Sequence, residues 1–431
     1  MNKQELPLES PFKRLMDRYA HLNWALLDQA MVSGTNFLAG ILLVRYLGIE
    51  QYGQFVLAWM MVQFFLSIQN ALVVSPMFSV APKTAVDERP QYYSATFMLQ
   101  VILAVVIVAV CAAGAFLLPA RYEPDWLNLS ILWPLLVCVV LVQLQDYVRR
   151  NLFSRLMYRQ AFFLDAIAYG AQIPLIFLVI RSHPSFQTAM MAIAGTMLTA
   201  IVLGARHLNL VAVPRDVMRS AAIRHWVSSK WLLGSAVLQW VSGNYFMVVA
   251  GALFGPAMVG GIRAAQNLVG LSHILFMGLE NIIPGEASRR YQQSGSRAMA
   301  SYLNKSTWLI LLGTGLIAGF AAVFAKPLLT VVYGAPNPVS VMALIWFMPL
   351  YMIVAISLPL RAGLRTLERT RPLFMAYAVG AALSLATAHY CVARYEVNGA
   401  MAGMLIIEFV MTAILMASLA KQVRLHAQPS L

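Results

Sequence analysis

The sequence predicts an all-α polytopic membrane protein with twelve transmembrane helices in two six-helix lobes around a central cavity. Three observations support this fold class. Of the 431 residues, 60% are hydrophobic and only 11% are charged, whereas charged residues make up about a quarter of a soluble domain. The apolar residues recur in runs of about 18 to 28 positions, which can cross the hydrocarbon core as helices. The basic residues fall almost entirely in every second loop between these runs.

The chain begins with a polar and basic segment at residues 1–20. This segment lacks the apolar core of a cleavable signal peptide. Lys13 and Arg14 lie beside Phe12 and Leu15, a mixture that predicts an amphipathic segment on the cytoplasmic membrane surface.

The apolar runs divide the chain into two predicted lobes. Six runs make an N-terminal lobe at 21–206, and six more make a C-terminal lobe at 228–420. The polar segment 207–227 is the predicted cytoplasmic linker, and 421–431 is the predicted cytoplasmic tail. The predicted spans are 22–47, 52–80, 92–118, 127–148, 161–180, 186–206, 228–254, 257–284, 302–325, 338–360, 373–393 and 398–420.

The charges of the loops predict the orientation. Of the 31 lysines and arginines, 25 fall on one side of this predicted topology, five fall on the other side, and Arg263 lies within a span. Because basic residues are retained on the cytoplasmic side, both termini are predicted to be cytoplasmic. This bias also accounts for most of the net charge of +14, so the basic loops do not require nucleic acid as a partner.

An internal repeat relates the two halves. The run that opens with Ser33-Gly-Thr-Asn36 ends in a glycine turn at Gly48, and the run that opens with Ser242-Gly-Asn-Tyr245 ends in a glycine turn at Gly255. Six spans per half is an even number, so both halves enter the membrane from the same side. The repeat therefore predicts a pseudo-twofold axis along the membrane normal, an arrangement found in transporters.

A polar stripe follows one face of the eighth predicted span. At 100° per residue, one face about 140° wide holds every charged, amide and histidine side chain of the span, and the opposite face is apolar. These polar residues are Arg263, Gln266, Asn267, His273, Glu280 and Asn281. A lipid-facing arginine would cost roughly 3 kcal/mol, so Arg263 is expected to face the protein interior or a water-filled cavity. From the sequence alone, Arg263 either pairs with an acidic neighbour or belongs to a cavity for a polar, anionic ligand.

Two acidic residues within spans are candidates for ion coupling. Glu408 lies about ten positions into the last predicted span, near the middle of the membrane, and Asp28 lies nearer the cytoplasmic end of the first. A carboxylate at such depth is paired, protonated or coupled to an ion. Coupling to H⁺ or Na⁺ and a purely structural pair both remain open for these residues.

The sequence offers little support for catalysis or a bound cofactor. Cys111, Cys138 and Cys391 lie in apolar runs without metal-ligand spacing. There is no phosphate-binding loop of the Walker type. The predicted outer loops are too short to hold a catalytic domain over a sugar. We therefore predict a protein that is not an enzyme and that has no metal or organic cofactor.

Two stretches resemble a known family. Asp28-Gln-Ala-Met-Val-Ser-Gly-Thr-Asn-Phe-Leu-Ala-Gly40 and Arg45-Tyr-Leu-Gly-Ile-Glu-Gln-Tyr-Gly-Gln-Phe55 resemble the opening of the Wzx-type polysaccharide-transport flippases. That family belongs to the multidrug/oligosaccharidyl-lipid/polysaccharide (MOP) exporter superfamily. The resemblance implies alternating-access export of an undecaprenyl-pyrophosphate-linked oligosaccharide from the inner to the outer leaflet of a bacterial inner membrane. It also implies a role in surface polysaccharide or exopolysaccharide biosynthesis, with membrane lipids and the polysaccharide polymerase machinery as partners.

The resemblance suggests roles for the polar residues. Arginines in the central cavity are typical of these flippases, and Arg263 is the position that looks like one of them. We expect Arg263 to attract the diphosphate, and the amides and aromatic rings of the cavity to contact the sugar. The remaining expected substrate contacts, which rest on helix geometry alone, are Asn36, Trp240, Asn244, Tyr245, Gln266, Asn267 and His273.

Two alternatives belong to other functional classes. An ion-coupled multidrug exporter of the same superfamily would use acidic cavity residues for organic cations, and Asp28 and Glu408 keep this alternative open. A membrane-embedded polysaccharide polymerase or ligase is disfavoured by the short outer loops. Assaying a lipid-linked sugar for chemical change and for translocation separates these classes.

The predicted orientation can be tested with single cysteines in a variant that lacks Cys111, Cys138 and Cys391. We expect a cysteine at Pro124 to react with an impermeant thiol reagent added outside the cell, and a cysteine at Ser220 to react only after permeabilisation. The measurement is the labelled fraction of each variant. Reversed labelling would contradict the topology and the direction of export.

Overall fold

The computed structural model describes residues 11–117 and 129–427. Within these ranges, side chains are described except at 11–23, 25–26, 116–117, 129–131, 271–282 and 426–427. Thirteen α-helices make up the described residues, together with short π-helical and 3₁₀ turns at 70–74, 81–83 and 166–170. The α-helices are α1 (Pro11–Gln69), α2 (Ser75–Val80), α3 (Arg89–Leu117), α4 (Leu129–Ser154), α5 (Tyr158–Asp165), α6 (Gln172–Ser182), α7 (Phe186–Ala205), α8 (Arg215–Phe254), α9 (Pro256–Val269), α10 (Leu271–Val323), α11 (Ala325–Tyr333), α12 (Pro338–Thr366) and α13 (Arg371–Ala427).

Nine helical segments of the described chain are long and apolar enough to cross a membrane. The longest helices contain backbone breaks at Gly48, Gly295 and Glu396, where the chain leaves helical geometry and reverses between spans. With α1 and α13 each counted as two spans, and with α9 and the start of α10 counted as another, the segments accommodate the twelve predicted spans. The predicted all-α membrane fold is confirmed.

The internal repeat is visible in the backbone of the two glycine turns. Gly48 has φ 78° and ψ 170°, and Gly255, which lies 207 residues later in the sequence, has φ 81° and ψ 174°. Only glycine adopts this conformation without steric strain. The same kink therefore occurs at corresponding places in the two halves. We call the membrane side on which Gly48 and Gly255 lie the kink side.

Each half has its own helix packing. In the N-terminal half α4 packs on α7, and in the C-terminal half α8 packs on α13 while α10 packs on α12. At Gly403 in α13, an added methyl group would lie 2.0 Å from the ring of Phe246 in α8. Close approach at small residues is how membrane helices gain packing energy in the absence of water. Large apolar side chains on the outer faces, such as Val105, Leu312 and Leu316, are exposed, as expected of surfaces covered by lipid.

The connection between the halves is held against the N-terminal half. Arg155 donates hydrogen bonds to the carbonyl oxygens of His207 (3.2 Å) and Leu208 (3.1 Å). The backbone N–H of Val211 donates to the Ser94 hydroxyl at 3.0 Å. The segment outside helices is therefore short, and the residues from 215 onward in the predicted linker are the beginning of α8.

The beginning of α8 also packs on the N-terminal half. His225 is 3% exposed, and its Nε2 is hydrogen-bonded to the Tyr92 hydroxyl at 2.9 Å. Its Nδ1 lies 3.1 Å from the carbonyl oxygen of Leu72, and the Ser229 hydroxyl donates to the same oxygen at 3.4 Å. The 40-residue helix α8 thus contacts both halves: its first part packs on the N-terminal half, and it also packs on α13 of the C-terminal half.

Candidate functional site

The polar stripe of α9 lies between the two halves. Arg263, Gln266 and Asn267 are each half-buried, whereas Ala264 and Ala265 on the opposite face are 1% and 0% exposed. The apolar face of α9 is therefore covered by neighbouring helices, and α9 packs on α1 and α12.

Arg263 has an amide as its partner. Its Nη1 donates a hydrogen bond to Oε1 of Gln266 at 2.6 Å. Tyr351 of α12 contacts the Gln266 side chain through a further hydrogen bond. In the described part of the chain, no carboxylate lies within 4.0 Å of Arg263. A guanidinium has five N–H donors, and the hydrogen bonds given for the described residues use one of them.

Asn267 connects the two halves. Its Nδ2 donates to the hydroxyl of Tyr52 at 2.9 Å, and Tyr52 is 2% exposed. Tyr333 also hydrogen-bonds Asn267 and donates to the carbonyl oxygen of Ala264 at 3.0 Å. The structure therefore places Asn267, an expected sugar contact, in an interhelical network.

A second polar stripe runs along α1 towards Asn267. Gln29 donates to the Ser33 hydroxyl at 3.2 Å, and Asn36 is exposed on the same side of the helix. One turn further, a methyl group added to Gly40 would lie 2.5 Å from Nδ2 of Asn267. Asn36 therefore lies next to the α1–α9 contact, where a ligand between the halves can reach it.

The expected contacts on α8 face a different part of the interface. The Trp240 ring lies 4.9 Å from the Phe64 ring of the N-terminal half, and Asn244 donates to the Trp240 carbonyl oxygen at 3.0 Å. Tyr245 is half-buried beside the apolar core. Among the described residues, no hydrogen bond connects these side chains to Arg263. The side chain of His273 lies outside the described residues.

Glu408 is half-buried and has a cationic partner. Nη2 of Arg361 in α12 lies 3.1 Å from Oε1 of Glu408 in α13. The two side chains are 24% and 13% exposed, respectively. The predicted span 338–360 ends just before Arg361, whereas in the structure Arg361 lies inside α12 and has Glu408 as its partner.

Asp28 belongs to a buried charged network in the N-terminal half. Nη2 of Arg149 lies 2.5 Å from Oδ2 of Asp28, and Nε of Arg149 pairs with Asp165. Gln145 donates to the other oxygen of Asp165 at 2.7 Å. Asp28 and Asp165 are 1% and 0% exposed. The network holds two carboxylates and one guanidinium, and it joins α1, α4 and α5.

Sequence reasoning missed several residues of these networks. Tyr52 and Tyr351 lie in apolar runs, where an aromatic residue usually indicates packing. Arg149 and Arg361 stand at the ends of apolar runs, where the charge pattern indicates loops. An arginine at the end of an apolar run could have predicted these ion pairs where an acidic residue lies within another span, because buried charges require partners. In the described ranges, no three His, Cys, Asp or Glu residues are grouped to hold a metal ion.

Comparisons with known proteins identify the fold. A family model described as MatE matches residues 232–389. A multidrug resistance MATE family transporter of the MOP superfamily, in an inward-facing conformation, superposes with a TM-score of 0.69 at 13% identity, covering 95% of this chain and 96% of that one. The chain has the MOP transporter fold.

Other solved structures share the MOP fold with different printed functions. The lipid II flippase MurJ, in an inward closed conformation, gives a TM-score of 0.69 at 10% identity, covering 93% of this chain and 87% of that one. A MOP superfamily transporter from Pyrococcus furiosus gives 0.61 at 13% identity, covering 93% of both chains. Among curated protein sequences, none matches. The MOP fold therefore fits both drug exporters and a lipid flippase, so the substrate must be argued from the site.

The buried network predicts that Arg149→Ala is strongly destabilising. The substitution leaves Asp28 and Asp165 buried without a cation, and breaking such a pair costs about 3 to 5 kcal/mol. We expect a large fall in the melting temperature of the purified protein, and a partial recovery when Asp28→Asn and Asp165→Asn are added. Arg150→Ala is the control, because its pair with Asp146 is 41% and 21% exposed and should contribute little. Equal melting temperatures for both arginine variants would contradict this account.

Proposed function

We propose that the protein is a flippase that moves an undecaprenyl-pyrophosphate-linked oligosaccharide across a bacterial inner membrane by alternating access. The observation that carries the proposal is the environment of Arg263. Arg149 and Arg361 have carboxylate partners, whereas Arg263 has an amide partner among the described residues. A guanidinium between the halves with no carboxylate partner among the described side chains would be stabilised by a ligand that brings negative charge.

The geometry of Arg263 suits a phosphate group. Its single described hydrogen bond uses Nη1, so the Nε and Nη2 donors can bind two phosphate oxygens in parallel. Gln266, fixed by Arg263 and Tyr351, limits the rotation of the guanidinium. A diphosphate would bind there while the prenyl chain stays in lipid between the halves.

The residues around Arg263 suit a sugar better than a flat apolar drug. Asn36 and Asn244 carry amides that can donate to and accept from hydroxyls. The rings of Tyr245 and Trp240 can pack against a pyranose face after the Trp240–Phe64 contact opens. These contacts would orient the sugar, and Arg263 would supply the attraction for the diphosphate.

The multidrug exporter is the second candidate, because related folds include multidrug transporters. Such a protein needs available carboxylates to attract organic cations. Here Asp28 shares Arg149 with Asp165, and Glu408 is paired with Arg361, so each acid already has a cationic partner. The charge of the described interface thus favours an anionic substrate.

The proposed cycle assigns an orientation to the molecule. With cytoplasmic termini, the kink side faces outward, and the substrate enters from the inner leaflet. Polysaccharide polymerase machinery would use the exported unit. Coupling to H⁺ or Na⁺ would involve Glu408 or Asp28, and their arginine partners make a structural role the simpler assignment for both.

The proposal predicts that Arg263→Ala impairs export of lipid-linked sugar. Loss of charged hydrogen bonds worth about 1.5 to 3 kcal/mol should lower export in reconstituted vesicles by roughly 10- to 100-fold, with an unchanged melting temperature. Arg263→Lys should retain part of the activity because the charge remains while the planar fork is lost. Arg371→Ala, which removes an exposed charge at the start of α13, is the control. Full export by Arg263→Ala would refute the proposal.

The pairing of Glu408 predicts that Glu408→Gln remains close to normal in export. A glutamine keeps the shape of the side chain and one oxygen that can accept the hydrogen bond from Arg361. Binding of lipid-linked sugar and export are measured with and without a pH gradient. Retained binding, with export that falls to background and no longer responds to the gradient, would instead make Glu408 the coupling residue.

A further inference from the structure

Two glycines from different halves meet on the kink side. A methyl group added to Gly53 in α1 would lie 1.8 Å from the carbonyl oxygen of Pro256. A methyl group added to Gly260 in α9 would lie 2.2 Å from the carbonyl oxygen of Ile49 and 3.1 Å from the Cα of Gly53. Both distances to oxygen are far below van der Waals contact. The backbones of the two halves therefore touch here, and no side chain fits between them.

A buried polar contact accompanies the glycine pair. Tyr52 is adjacent to Gly53 and accepts the hydrogen bond from Asn267 at 2.9 Å. Gly40, on the other arm of α1, allows the Asn267 amide to approach. The contact between the halves at this place therefore combines close glycine backbone with a neutral hydrogen bond, beside buried apolar side chains.

The position of this contact closes one side of the candidate site. Gly260, Arg263 and Asn267 are successive turns of α9, so the glycine pair and the hydrogen bond lie on either side of Arg263 along the helix. Gly260 is adjacent to the kinks at Gly48 and Gly255. The backbone contact at Gly260 therefore lies between Arg263 and the kink side.

We propose that Gly53, Gly260, Tyr52 and Asn267 form the closed gate of the transport site on the kink side. Side-chain size at positions 53 and 260 then sets how often this side opens. The inference rests on the proposed transport function and assigns its gate. Asn267 holds the gate closed and is not a sugar contact in this conformation.

The composition of this contact explains why the halves can separate here. Opening it breaks one described hydrogen bond between neutral groups, which has a small net cost. Among the described residues, no ion pair joins α1 to α9, so opening separates no paired charges there.

The test measures access to the site without using any substrate. In a protein without Cys111, Cys138 and Cys391, Asn36→Cys is the reporter, because Asn36 is exposed beside the gate. An impermeant thiol reagent is added to each side of reconstituted vesicles in turn. We expect Gly53→Ala and Gly260→Ala to raise the labelling rate from the kink side at least fivefold. Gly34→Ala is the matched control, because a methyl group there meets no atom within 4 Å.

A milder variant keeps the test decisive if a glycine variant fails to fold. Tyr52→Phe removes only the hydroxyl that accepts from Asn267, and it should raise labelling from the kink side about two- to fivefold. The gate proposal would be overturned if folded glycine variants are labelled at the same rate as Gly34→Ala. If both glycine variants misfold, it would be overturned by a folded Tyr52→Phe variant whose labelling rate is unchanged. The labelling rates do not depend on any substrate, so they test the gate even if the protein does not transport lipid-linked sugar. Failure of the gate and failure of the proposed transport function are therefore distinguishable.

Discussion

The cost of an unpaired charge away from water is the constraint on which the rest of this structure depends. Arg149 has two carboxylates, and Arg361 has Glu408. Each of these ion pairs lies within a single half, the first in the N-terminal half and the second in the C-terminal half, and joins helices of that half. Arg263 lies between the halves and has only an amide among the described residues. The described ion pairs between helices thus lie within a half, and binding of a ligand by Arg263 is the proposal that follows from this difference.

Glycine provides the complementary constraint at the interface. Gly48 and Gly255 allow the same backbone reversal in both halves, which brings Gly53 to the α9 backbone at Gly260. In the part of the chain that the structure describes, ion pairs join helices within a half, whereas the contact between α1 and α9 is close backbone packing without an ion pair.

The fold could be predicted from the sequence because its signals are local. Apolar runs, glycine turns and the alternation of loop charge predicted an all-α membrane protein with an internal repeat, and the α9 stripe followed from helical periodicity. Partners depend on tertiary packing, and the sequence could not supply them. Glu408 needed a partner, but nothing in the spacing chose Arg361, which lies 47 residues away in sequence. Tyr52 looked like a packing residue because its hydrogen-bond partner Asn267 lies 215 residues away.

The polar segment before α8 shows a second limit of local patterns. Its charge and low hydrophobicity predicted a linker but not its conformation: residues 215–227 are helical, and His225 is held on the N-terminal half. Charged residues can occupy the outer faces of a helix whose inner face is buried. The polarity of the segment therefore did not distinguish a helical connection from an irregular one.

The continuous helix α8 has a mechanical consequence. A loop between two bodies is a tether, which limits their separation but transmits no torque. A helix of 40 residues without an interior break contacts the N-terminal half at His225 and Trp240 and α13 at Phe246, and it is stiff by comparison. A rotation of one half against the other would bend or twist this helix, so the connection would oppose the rotation elastically.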